Sequence, residues 1–166
     1  GFCVEKLEAE EGALQTIIAH EFGHSLHHQY TTYCGIEASS ITWNDPYTLL
    51  LQEGVATYLS MQVVDVPRDV YFAWTRDVEW LTFCEEDIAQ ITAAFKQDLS
   101  EKSTVEMFKE WFSINGGTTF GYTRLAYYIG LVIVESFVKE LGIEKTMTLW
   151  GRPDFKKLMA HRMQSF

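Results

Sequence analysis

Residues 123–141, TRLAYYIGLVIVESFVKEL, constrain the fold more than any other stretch of the chain. Apolar side chains occupy most of the circumference of a helix drawn through them, so the helix has to be enclosed by other elements. Gly142 then suits the position just past its end. The longest apolar run, 125–134, is far short of the roughly 20 residues that cross a bilayer, so this is a core helix and not a membrane span. The remaining segments supply its cover. Helical spacing of Leu14, Ile17, Ile18 and Leu26 predicts an amphipathic helix over about 11–30, followed by a polar connection over 31–44. Asp45-Pro46 reads as an N-cap and first-turn proline opening a helix that runs to about Val63. Pro67 breaks the chain ahead of an aromatic-rich segment. Trp80, Leu81, Ile88, Ile91 and Phe95 predict helix over 77–99, either continuous or kinked. Ser103 and Glu106 have the form of a capping box for a short helix ending near Phe112. Asn115-Gly116-Gly117 marks a loop, and 143–162 reads as two short helices separated by Gly151-Arg152-Pro153. No segment shows a period of two. The expected fold is all-α, a compact helical bundle forming a single domain over residues 1–166.

Composition narrows the function. The 166 residues are 47% hydrophobic, enough for one domain with a real core, and the formal net charge is -10. That charge repels nucleic acid and anionic membrane surfaces, so neither is an expected partner. Cys3, Cys34 and Cys84 form no CxxC pair, which removes a thiolate zinc cluster and a disulfide scaffold. They read as idle thiols of a reducing compartment such as the cytoplasm, with a Cys34–Cys84 bridge as the alternative. Residues 1–11 are acidic and lack the form of a signal peptide. The chain begins at Gly1 without a methionine, so the domain is either entire or the C-terminal part of a longer protein.

The chemistry is concentrated in HEFGHSLHH, residues 20–28. His20 and His24 stand one turn apart, about 40° around a helix, so both imidazoles project from one face at a separation suited to a tetrahedral Zn2+. Glu21 lies on the flank, where a carboxylate can act as general base on a metal-bound water, as in the HExxH arrangement. His27 continues near that face and can touch substrate or a second metal, but the plainer reading leaves His27 and His28 exposed. His161 has no role. A catalytic zinc needs a third protein ligand. The metzincin offsets hold His27 and Tyr30, so that pattern fails. Glu53, in LQEGVATYLS, is set in an otherwise apolar helix beside Gly54 and Ala56, small residues that let helices approach closely. A buried carboxylate needs a partner, and a metal would supply one. Thr57, one turn on, is either ordinary packing or a group that orients a ligand.

HEFGH followed by LQEGVATYLS resembles the gluzincins, zinc peptidases whose third ligand is a glutamate on the next helix. RLAYYIGLVIVESF, residues 124–137, is similar to predicted zinc-dependent protease families that add a later YxxG helix. The resemblance implies His20, His24 and Glu53 as Zn2+ ligands, Glu21 as base, a peptide or protein substrate, and a tyrosine as oxyanion donor. Tyr127 matches that tyrosine best, with Tyr128 as the second candidate. Arg124 would bind a substrate carboxylate or else an ordinary surface acid. Zincin folds place a β-sheet before the active-site helix, and only about a dozen residues precede that helix here, so either the sheet belongs to an upstream segment or helices and loops hold the substrate. Two other readings stay open: a non-catalytic zinc-binding module, and a di-iron carboxylate protein built on Glu21-Phe-Gly-His24, for which no second ExxH is present.

Overall fold

The computed structural model describes residues 13–73 and 76–166. Among them are nine α-helices and no strand. The predicted helix start at residue 11, the acidic leading segment and Cys3 lie outside the described residues. The helix built on residues 125–141 is the centre, as its composition demands. This helix, α7 (Leu125–Leu141) in chain order, buries Leu125, Ala126, Tyr128, Ile129, Gly130, Leu131, Ile133, Val134 and Phe137. It ends at Gly142, whose φ of 81° lies in the left-handed region and whose N–H donates to the Val138 carbonyl.

Helix α2 (Pro46–Val63) lies between α7 and α1 (Ala13–Tyr33), making extensive contact with each. Its start follows the sequence signal: the Asp45 carboxylate accepts from the Tyr47 N–H at 3.1 Å, and Pro46 occupies the first turn. Leu50, Leu51 and Val55 on α2 and Ile129, Leu131, Ile133 and Val134 on α7 are wholly enclosed. Each such side chain stabilises the fold by roughly 1.5–3 kcal/mol, and this seam is the core of the bundle.

The smaller helices close the other sides. After α3 (Val70–Ala73), α4 (Val78–Glu86) is capped by the Asp77 carboxylate, which accepts from the Trp80 N–H. The segment 77–99 is two helices, because the backbone turns at Asp87 (φ −110°, ψ 18°) before α5 (Ile88–Glu101) begins. Ser103 and Glu106 form the capping box of α6 (Thr104–Met107), which runs into a wider π turn, Phe108–Phe112. There the Glu110 carboxylate accepts from the Thr118 hydroxyl at 2.7 Å and the Thr119 N–H at 2.8 Å, fixing the loop that leads to α7. Two short helices finish the described chain, α8 (Ile143–Met147) and α9 (Phe155–Arg162). No described helix is long and apolar enough to cross a membrane. Cys34 and Cys84 are both free, so the alternative of a bridge between them does not hold.

Helix α1 departs from expectation in its rotation. Ile17 is buried, but Leu14, Ile18 and Leu26 are 45%, 59% and 40% exposed, and Phe22 is 65% exposed. The inward face is instead Ala13, Thr16, Ile17, His20, Gly23, His27 and Thr31. The cause is steric. Gly23 lies so close to α2 that a Cβ on it would sit 2.9 Å from the Ala56 Cα, and only the small-residue face can come that near.

Candidate metal centre

The close contact at Gly23 and Ala56 turns the histidines of α1 toward the glutamate of α2. His20 Nε2 lies 3.1 Å from Glu53 Oε2, and His24 Nε2 lies 3.5 Å from the same oxygen. One ligand atom from each of the three residues falls within 4.8 Å of the others. Bonds of 2.0–2.1 Å to a tetrahedral zinc ion imply ligand–ligand edges of about 3.3 Å, and the two measured separations bracket that value. The donor set is two imidazole nitrogens and a carboxylate oxygen, which suits Zn2+ chemically. The residues present therefore fit the ion.

Electrostatics support the same cluster. Burial pushes the Glu53 carboxyl upward, but bonds to His20 and His24 and their charge bring it down to about 2. Burial alone would depress His24, yet its bond to Glu53 and the charges of Glu53 and Glu21 hold it above the usual histidine range. Glu53 is thus an ionised carboxylate almost enclosed by protein, its side chain 14% exposed. A group of that kind requires cationic or hydrogen-bonding partners. Glu21 stays exposed beside the cluster, its charge felt by both His24 and Tyr127.

The two candidate tyrosines separate. Tyr127 packs against His20, ring centroids 6.0 Å apart and planes 24° from parallel. Burial and the neighbouring Glu53 carboxylate push its phenol well above the usual range, so it stays a hydrogen-bond donor at neutral pH. Tyr128 is not brought to the site. Its ring sits in the core with Phe72 at 5.6 Å and Trp80 at 6.3 Å, and burial pushes its phenol up to about 12. A step of one residue rotates a side chain by about 100° around the helix, which carries Tyr128 away from α1. Close approach of α7 to α2 fixes which tyrosine faces the cluster. A Cβ on Gly54 would stand 2.3 Å from the Gly130 carbonyl oxygen.

Other residues of the sequence reading fall as follows. His27 is fully buried, contrary to the exposed reading. Its Nε2–H donates to the Met147 carbonyl at 2.8 Å, and its ring stacks on Trp150 at 3.8 Å with planes 1° apart. No signal near His27 points to this, because Trp150 is distant in sequence. His28 is exposed, with Trp43 at 4.9 Å. Thr57 is buried and its hydroxyl has no hydrogen-bond partner among the described residues. Arg124 stands at the N-cap of α7 with φ 60° and ψ 27°, and its charge acts on Tyr127. It is the single non-glycine residue with positive φ among those described. A left-handed arginine beside a candidate site has the character of strain kept for placement of a side chain.

Among the described residues, His20, His24 and Glu53 are the single group of three side chains able to share an ion. The second carboxylate–histidine set of a di-iron bundle has no counterpart there. Comparison with protein-family models, with curated proteins and with solved structures finds no match to this chain.

Proposed function

We propose that the protein is a zinc-dependent peptidase of gluzincin type. The observation that carries this reading is the approach of one Glu53 oxygen to both His20 Nε2 and His24 Nε2, at 3.1 and 3.5 Å. His20, His24 and Glu53 would hold the ion, and a position for solvent and substrate would lie on the side where the His24 and Glu53 side chains keep 18% and 14% of their surface exposed. A bound zinc ion supplies Lewis acidity toward water and toward a carbonyl oxygen.

The chain's own residues do the rest. Glu21 is exposed, next to the ligands and not among them, so it takes the proton of the attacking water. The same carboxyl then returns the proton to the leaving amine. Tyr127 keeps its phenolic hydrogen and donates it to the oxygen on which negative charge develops, an interaction made only as the transition state forms. Arg124 lies one turn before Tyr127, and its guanidinium suits a carboxylate of the substrate.

The deciding experiment is metal analysis of the purified protein combined with a broad peptide library. One equivalent of zinc, cleavage abolished by chelator and restored by zinc, and a Glu21→Gln variant that binds zinc without turnover are the expected results. Stoichiometric zinc with no cleavage of any peptide would convert the reading to a non-catalytic zinc module. Absence of zinc binding would remove it altogether.

A further inference from the structure

The contact that builds the metal cluster also gathers a second set of polar atoms behind it. Helices α1 and α2 advance in the same direction: His20 meets Glu53, and further along Gly23 lies against Ala56. Thr57, the next residue of α2, therefore stands level with His24. It is 0% exposed, and its hydroxyl has no hydrogen-bond partner among the described residues. A threonine inside a helix can turn its hydroxyl back to the carbonyl one turn earlier. Thr32, Thr82, Thr92 and Thr146 do so, at 3.0, 2.8, 2.9 and 2.8 Å. Thr57 makes no such bond to the Glu53 carbonyl.

Two ring nitrogens on the facing turn of α1 share this condition. Nδ1 of His24 and Nδ1 of His27 are enclosed by protein and have no partner among the described residues. The opposite nitrogen of each ring decides what its Nδ1 can do. His27 donates through Nε2–H to the Met147 carbonyl at 2.8 Å, and its ring is stacked on Trp150, so its Nδ1 is a bare acceptor. His24 turns Nε2 toward Glu53, and an Nε2 that ligates an ion leaves the ring hydrogen on Nδ1, which is then a donor. A donor, an acceptor and a hydroxyl able to be either are thus enclosed on adjacent turns. None of them bonds directly to another.

We propose that one enclosed water molecule joins the Thr57 hydroxyl to Nδ1 of His24 and Nδ1 of His27, which makes Thr57 a positioning residue for the His24 ring. Buried polar atoms normally have a partner, and water matches this set. Its oxygen accepts from His24 Nδ1–H, while its two hydrogens go to His27 Nδ1 and Thr57 Oγ1. That is about three bonds, the usual number for an internal water. The bridge holds the His24 ring in the tautomer and plane that present the Nε2 lone pair to the ion. The role of Thr57 toward the ion rests on the zinc reading; the water does not.

The test pairs a high-resolution crystal structure of the metal-free protein with zinc affinities measured by competition with a chromophoric chelator. A water within about 3.2 Å of all three atoms is expected. Thr57→Val keeps the shape of the side chain, removes the hydroxyl, and should bind zinc about tenfold more weakly. Thr57→Ser keeps the hydroxyl, loses a methyl group, and should stay within about twofold of the wild type. A role in packing alone would give the reverse order. No water at that place, unchanged affinity in Thr57→Val, or an equal loss in Thr57→Ser would overturn the proposal, and zinc uptake by the wild type would leave the peptidase reading standing. Wild type that takes up no zinc would remove that reading and the positioning role with it.

Discussion

Gly54 and Gly130 meet backbone to backbone: a Cβ on Gly54 would lie 2.3 Å from the Gly130 carbonyl oxygen, and one on Gly130 would lie 2.4 Å from the Leu50 carbonyl oxygen. This contact seats α2 on α7 and so brings Glu53 and Tyr127 to the same place. In most helix interiors glycine to alanine stabilises by about 0.5–1 kcal/mol. Here the obstacle is main chain, which cannot swing aside. Gly130→Ala is expected to destabilise by roughly 3 kcal/mol or more and to weaken metal binding with it. Gly35→Ala, at φ 79° with nothing within 4 Å, should lose only about 1 kcal/mol. Denaturant titration of both variants measures the contrast.

Glu53→Gln keeps the shape of the side chain and removes its charge. The variant should fold, yet on the proposed ligation its zinc affinity should drop on the order of a hundredfold or more, since the anionic group of the set would be gone. Competition with a chromophoric chelator gives the ratio. Equal affinity in the two proteins would place the metal elsewhere.

Tyr127→Phe and Tyr128→Phe form a matched pair. Loss of a donor to the developing oxyanion typically lowers kcat about 10^2–10^3-fold with little change in KM. That result is expected for Tyr127→Phe. Tyr128, in the Phe72–Trp80 cluster, should leave turnover near wild type when replaced. Steady-state kinetics on a cleaved peptide separates them, and equal losses would remove Tyr127 from its assigned role.

His27 makes stability depend on pH. Burial, the largest influence, lowers its folded pKa from 6.5 to about 3, against the opposing bond to Met147. The native state therefore holds it neutral where the unfolded chain binds a proton. Its contribution is complete above pH 6.5 and declines as pH falls from there toward 3, at up to about 1.4 kcal/mol per unit. Thermal unfolding between pH 7 and 5 should fall more steeply for the wild type than for His27→Phe. Parallel slopes would contradict the buried neutral ring.

The legible parts of this fold are those decided within a few residues. Asp45-Pro46, Ser103 with Glu106, and Gly142 each marked a helix end by a bond made locally, and each stands where expected. The all-α architecture followed from periodicity in the same way. The HExxH spacing placed His20 and His24 together because one helical turn does so without outside help. Rotation of α1 was not legible, because Leu14, Ile18 and Leu26 weigh heavily in any apolar pattern. The packing is decided by what fits between Gly23 and Ala56. The turn at Asp87 was hidden because no glycine or proline interrupts 77–99. The choice between Tyr127 and Tyr128 depends on a contact between α2 and α7, and the burial of His27 on a tryptophan in the tail.

The ring-bearing helix is held to its neighbours chiefly by directional bonds: His20 to Glu53, His27 to the Met147 carbonyl, and Thr31 to the Trp150 indole. Its greasiest side faces away from them. Mild acid bears on the His27 tie, because the buried ring is held neutral in the fold, whereas the oily α2–α7 seam is indifferent to protons. Under mildly acidic stress, residues 13–33 should peel off as a cooperative unit while the hub stays shut, visible as early deuterium uptake confined to that stretch.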